Sequence, residues 1–311
     1  MTSRVLVGTK GGLFFTGSGT ASEFEGREVR SLARQGSDWW AVIDRSEIWY
    51  REKSAPWTMV HHLGDARTTS ILPTAGGVIV GTAGAHLLRI GPDGIDPLRG
   101  FDAIAGRDTW YTPSGSAPDV RSMAADSKGT QYVNVHVGGI LRSDDDGQSW
   151  TPTIDVDSDV HEVVFDRTSG LLLAASGWGL GVSDDRGDTW RFDTDGLHGN
   201  YLRAVTVADD MVLVTASTGP FTNHAAVYRK PLDAAGSFER CATGLPDRFA
   251  ENINTMNLAA SGVRVSFATA DGYVYCSQDA GATWTLETDG LPTPRCLAFD
   301  IDAAASRLGH A

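Results

Sequence analysis

An all-β chain of repeated, four-stranded antiparallel units is predicted by three features of this sequence: its glycine content, a recurring eight-residue turn, and the spacing of the copies. Glycine supplies 36 of 311 residues, about 12% against an ordinary value near 7%. With 9 Trp, 11 Phe and 7 Tyr, that describes short aromatic-rich strands that reverse often. The segment Ser143-Asp144-Asp145-Asp146-Gly147-Gln148-Ser149-Trp150 returns as Ser183-Asp184-Asp185-Arg186-Gly187-Asp188-Thr189-Trp190 and as Ser277-Gln278-Asp279-Ala280-Gly281-Ala282-Thr283-Trp284. The first two copies start 40 residues apart and the last two 94 apart, or two steps of 47. Units of about 44 residues divide the chain into seven, and four strands fit each. The expected fold is a seven-bladed β-propeller forming one domain over residues 1–302, with a tail at 303–311.

The elements follow in order. The chain opens on Val5-Leu6-Val7-Gly8-Thr9, which reads as the second strand of a blade. Its missing first strand is expected from Pro294-Arg295-Cys296-Leu297-Ala298-Phe299-Asp300-Ile301, closing the ring and removing an exposed edge. The other first strands are expected near 38–43, 67–72, 120–125, 160–165, 202–207 and 253–258. Second strands share an apolar run ending in Gly/Ala-Thr/Ser: Val78-Ile79-Val80-Gly81-Thr82, Leu171-Leu172-Leu173-Ala174-Ala175-Ser176 and Val212-Leu213-Val214-Thr215-Ala216-Ser217. Such runs suit strands covered on both faces by neighbouring blades. Glu47-Ile48-Trp49-Tyr50 with Trp57, and His86-Leu87-Leu88-Arg89-Ile90 with Asp93-Gly94, read as weaker outer hairpins. Residues 101–119 form a longer Gly/Pro/Ser-rich excursion, and Asp233-Ala234-Ala235-Gly236-Ser237-Phe238 is a degenerate copy of the turn. In each full copy the Asp accepts hydrogen bonds from turn amides, the Gly takes a positive φ, and the Trp covers the hairpin end.

Composition excludes several classes. Lys plus Arg is 26 and Asp plus Glu is 39, a net charge of −13. A general nucleic-acid or acidic-membrane binder needs the opposite field. No window reaches the roughly 18 apolar residues of a membrane helix. The N-terminus lacks a secretory apolar core, so a cytoplasmic protein is expected. Cys241, Cys276 and Cys296 are too few and scattered for a disulfide framework or cysteine zinc site, and are expected as buried free thiols.

The three turns resemble the Asp-box (BNR) repeat of sialidases, sortilin-type domains and photosystem II assembly-factor propellers. The whole chain resembles the bacterial WD40/YVTN/BNR-like propellers. The resemblance implies that the boxes lie on outer hairpins and are structural. A sialidase also carries an Arg-Ile-Pro segment, an arginine triad and a Tyr/Glu pair. Arg89-Ile90-Gly91 lacks the proline, and no tyrosine pairs with a glutamate.

In a propeller, loops entering first strands and leaving second strands converge on one end of the channel, where ligand sites concentrate. Arg67, Arg121, Arg203 and Arg295 read as matching positions ahead of four first strands. A basic ring in an acidic protein suits an anion; the alternative is a set of ion pairs locking adjacent blades. Trp178 and Asn134 stand at the same rim and complete the expected ligand set. His86, His136, His161 and His224 fall near it in four consecutive units. His136 reads as replacing the Thr or Ser of other units, and His161 as replacing arginine. Imidazoles from separate blades can hold zinc, copper or iron around an axis; the alternative is isolated hydrogen-bonding histidines. The expected function is binding of a small anionic ligand in the funnel, with a histidine-bound metal that would make the protein an enzyme. A protein-interaction or assembly scaffold and a glycoside hydrolase are the alternatives.

Overall fold

The computed structural model describes residues 4–16, 22–113, 115–222, 224–232 and 236–300. The expected tail, Ile301 of the expected closing strand, and residues 233–235 of the degenerate turn lie outside them. Seven four-stranded antiparallel sheets make the ring. Blade 1 takes its innermost strand from the far end of the sequence. Pro294–Asp300 pairs with Arg4–Thr9, which is followed outward by Gly12–Phe15 and Ser22–Glu23. The clasp at the C-terminal strand is therefore present.

The other blades run outward from the axis in chain order. Blade 2 is Val29–Gln35, Asp38–Ile43, Glu47–Arg51 and Thr58–His62; blade 3 is Thr68–Thr74, Gly77–Thr82, Leu87–Gly91 and Gly94–Pro97. Blade 4 is Val120–Ala125, Gln131–Val135, Gly139–Ser143 and Thr151–Pro152; blade 5 is Val160–Phe165, Leu172–Ser176, Gly179–Ser183 and Arg191–Asp193. Blade 6 is Tyr201–Ala208, Met211–Ser217, Ala226–Pro231 and Glu239–Arg240; blade 7 is Leu258–Ser261, Arg264–Ala268, Val274–Ser277 and Thr285–Thr288. Two expected first strands are corrected. In blade 2 the innermost strand is Val29–Gln35, and 38–43 is its second strand. In blade 7 the strand begins at Leu258, because 252–257 is spent on a turn at the channel.

The core is a belt of inter-blade layers. Trp39, Leu6 and Leu13 fill the one between blades 1 and 2. Phe101, from the excursion before blade 4, packs edge-on against Trp150 between blades 3 and 4. Phe267 and Trp284 do the same between blades 6 and 7. The Gly-Thr endings now have a cause. A Cβ at Gly8 would stand 2.9 Å from the Val29 carbonyl oxygen, so the neighbouring blade can approach only a glycine here. The following hydroxyl closes the loop: Thr9 Oγ1 donates to the Gly12 carbonyl and accepts from the Gly11 amide. Ser176 does likewise with Gly179 and Trp178.

All three eight-residue turns connect third and fourth strands. In the first, Ser143 Oγ accepts from the Gly147 amide at 2.8 Å, and Asp145 takes both the amide and the hydroxyl of Ser149. Those hydrogen bonds, the Ser149 hydroxyl foremost, hold the pKa of the Asp145 carboxyl down to about 2. Ser183 with Asp185, and Ser277 with Asp279, repeat the pattern. Trp150 and Trp284 are buried and donate Nε1–H to the turn glycine carbonyls. Trp190 is only half-buried, and its Nε1 has no acceptor among the described residues. The three cysteines are buried free thiols.

Candidate functional site

The site begins with a backbone irregularity. In six blades the pairing of innermost and second strands slips by one residue near the start of the innermost strand. The extra residue of a β-bulge leaves the ladder and its side chain is re-aimed. The extra residues are Arg295, Arg30, Thr69, Arg121, His161 and Arg203, in blades 1 to 6. Four of them, Arg30, Arg121, Arg203 and Arg295, line one cavity of about 240 Å³ at the amino ends of the innermost strands. Asp119 and the turn Asn254–Asn257 of blade 7 complete its wall.

The charges of this wall are poorly matched. Arg295 Nε donates to Glu28 at 2.8 Å, and Glu28 also takes Arg45 at 2.8 Å. Arg203 is held by the Asn254 side chain at 2.8 Å. Arg30 and Arg121 make no hydrogen bond or ion pair among the described residues. Arg30 Nε, Arg121 Nη1 and Arg203 Nε are shut off from solvent without an acceptor. Burial pulls both Arg30 and Arg121 below the ordinary arginine value; Arg45 and Arg295 add to this at Arg30, while Asp119 opposes it at Arg121. Burial alone would raise the Asp119 carboxyl, but the neighbouring His136 and Arg121 hold it below its usual range.

The remaining bulge residues turn away. Thr69 donates to the Gly81 and Val120 carbonyls. His161 is fully buried, and burial drives its pKa down to about 4. Its Nδ1 donates to the Leu202 carbonyl at 2.6 Å, so Nε2 accepts from the Tyr201 hydroxyl at 2.9 Å. Both nitrogens are occupied. His136 faces Asp119 at 3.7 Å and Asp159 at 3.8 Å, with its ring 6.5 Å from that of His161. Val135, not His136, holds the Thr/Ser position, because a three-residue turn pairs Val135 with Gly139. His86 is exposed and paired with Asp102 at 2.7 Å, and His224 offers its backbone carbonyl to His198. Among the described residues no three of His, Cys, Asp and Glu are grouped to hold a metal.

Three of the four expected arginines therefore meet. Arg67 does not: it is exposed, two residues before the blade 3 bulge at Thr69. Arg30 takes its place and was hidden by the misread strand of blade 2. Its signal was present, since Glu28-Val29-Arg30-Ser31 parallels Asp119-Val120-Arg121-Ser122. Trp178 is exposed and packs edge-on against Phe192, and Asn134 is buried beside Ser122; neither lines the cavity. Glu162 is buried behind it, accepting from the Val205 and Met256 amides, and burial pushes its pKa up to about 8.

No protein-family model matches the chain. A stretch of 100 residues, 32% of the chain, is 30% identical to a 1-butanol dehydrogenase (cytochrome c) of Thauera butanivorans, and it spans 11% of that protein. Among solved structures the chain is similar to YCF48 from Cyanidioschyzon merolae, at 16% identity and TM-score 0.61 over 93% of this chain and 89% of that one. It is similar to YCF48 bound to D1 peptide, at 15% identity and TM-score 0.58 over 92% and 85%. It is also similar to the GH74 xyloglucanase of Xanthomonas campestris, at 15% and 0.60 over 92% of this chain and 47% of that one. At these identities the likeness is one of fold, and the fold is a seven-bladed β-propeller.

Proposed function

We propose that this chain is an Asp-box propeller whose channel mouth binds a small anionic ligand. The observation that carries the reading is the pair Arg30 and Arg121, cations that each keep a solvent-excluded nitrogen without a hydrogen-bond partner among the described residues. An unpaired buried charge costs several kcal/mol, roughly. A fold tolerates that cost where a ligand removes it. A carboxylate or phosphate offers such groups short, charge-assisted, bidentate bonds. The cavity has the volume of about eight waters, so the anion is small. A metal has no part in this reading, because His161 is fully engaged and His86 stands apart.

The test is calorimetric titration of the protein with small carboxylates, phosphate and sulfate at fixed ionic strength, for wild type and for Arg30→Gln and Arg121→Gln. Millimolar or tighter binding that either substitution weakens by about tenfold, or roughly 1.4 kcal/mol, supports it. Wild-type protein that binds none of them overturns it.

A second reading, a protein partner at the same face, is favoured by exposed aromatics there: Tyr111, Trp178, Phe221 and Tyr273. The fold-level likeness to a propeller that holds a peptide supports it too. Substituting Trp178 and Phe221 by Ala would then weaken partner binding and leave small-anion affinity unchanged.

A further inference from the structure

The positions of the guanidinium groups say more about the anion, given that the mouth binds one. They fall into two poles. Arg295 and Arg30 come from adjacent blades 1 and 2 and share the Glu28–Arg45 neighbourhood. Arg121 and Arg203 come from blades 4 and 6, across the axis. On blade 5 His161 is folded onto Leu202 and Tyr201, and what that blade places near Arg121 is the half-buried carboxylate of Asp159. Blade 3 puts none between the poles on its side, because Thr69 is turned onto backbone carbonyls. What remains there is Asp119, which feels Arg121 and Arg30 alike. On the opposite side the poles are separated by the uncharged turn Asn254–Asn257. Each pole keeps an unmatched donor: Arg30 Nε at one, Arg121 Nη1 and Arg203 Nε at the other.

A single compact anion satisfies one pole and leaves the other as it was. We infer that the ligand is a small dianion of the dicarboxylate type, with one carboxylate on Arg30 and Arg295, the other on Arg121 and Arg203, and its middle along Asn254–Asn257. Asp119 then acts as a fixed negative spacer that keeps the two carboxylates apart, and a monoanion gains only one set of bonds.

The experiment is titration of the purified protein, at fixed pH and ionic strength, with dicarboxylates of three to six carbons, with butyrate and with inorganic phosphate. Wild type is compared with Arg30→Gln and Arg121→Gln, whose folding is checked by their melting curves. One dicarboxylate is expected to bind about tenfold or more tighter than butyrate and phosphate. Each substitution should bring that dicarboxylate down to the butyrate level. Butyrate or phosphate binding as tightly as every dicarboxylate, or a dicarboxylate weakened by only one of the two substitutions, overturns the two-pole ligand and leaves the anion-binding reading standing. Absence of binding by all the probes overturns both.

Discussion

The two ends of the channel are built from the same strands and treat charge in opposite ways. At the carboxyl ends of the innermost strands of blades 2 to 5 lies a larger cavity of about 1030 Å³, lined by Asp126, Asp144 and Asp146 among others. There every one of these carboxylates has partners. Asp146 takes Arg89 and Gln131, both at 2.8 Å, and Asp144 takes Arg142 at 3.1 Å together with Arg186 and Thr130. Asp126 accepts the amides of Lys128 and Thr130. At the amino ends the cavity is a quarter of that size, and Arg30 and Arg121 make no hydrogen bond or ion pair among the described residues. What separates the two ends is the pairing of whole charged groups: each of those carboxylates has a partner at the larger cavity, while these two cations make no such bond.

The comparison can be broken in four places. The largest effect belongs to the box turns, which should bear on stability and leave the mouth untouched. Trp284→Ala and Trp150→Ala should each cost about 3–5 kcal/mol in chemical denaturation, and half-buried Trp190→Ala clearly less. Loss of anion affinity in any of the three folded variants would break the separation between ends.

The next effect is on pH dependence and comes from the groups behind the mouth. Glu162 has a folded pKa raised to about 8, above an unfolded value near 4.3. The folded state then holds the extra proton, so stability falls as pH rises through that window. His161 is depressed to about 4, so its contribution is lost as pH falls from about 6.5 toward 4. The two oppose each other below pH 6.5, and only Glu162 acts between about 6.5 and 8. Melting temperature should therefore drop across that upper interval, and Glu162→Gln should flatten the drop. An unchanged slope in the variant would remove Glu162 from the account.

Two smaller effects should differ in sign. Arg121→Leu removes a cation with no hydrogen-bond partner among the described residues and should stabilise the empty protein by about 1 kcal/mol while weakening anion binding about tenfold. Arg186→Ala removes a partnered, exposed cation at the other end and should destabilise by about 0.2–1 kcal/mol with binding intact. Urea titration of both variants checks this, and destabilisation of equal size in the two would erase the contrast between the ends.

Much of the ring was legible because its signals are local. The box turns, the apolar second strands and the closing segment at Pro294–Asp300 all announce themselves in a few residues. Blade 2 was misread because Trp39-Trp40-Ala41-Val42-Ile43 is the more apolar run, while Val29–Gln35 carries four polar residues among three apolar ones without alternating and looks like the weaker strand. That error hid Arg30; Arg67 falls two residues short of the bulge at Thr69 in a strand that was read in nearly the right place. The histidines stand apart from one another for a different reason. A departure from the repeat marks a changed position but not the direction of the side chain, and His161 departs in order to fasten blade 5 to blade 6. Whether an arginine is paired depends on residues far away in sequence, as with Glu28 and Arg295, and no spacing reveals it.

The bulges have an evolutionary consequence. A residue expelled from the hydrogen-bonded ladder contributes little to the pairing on either side, so its identity can change while the strands stay in register. Six such sockets ring one axis; four send arginine into the cavity, and two hold a threonine and a histidine turned onto the neighbouring blade. A lineage built on this ring can replace its recognition chemistry one socket at a time, each step a single substitution that the scaffold does not resist. Chains of this architecture are thus expected to diverge fastest in what they recognise and slowest in how they are built.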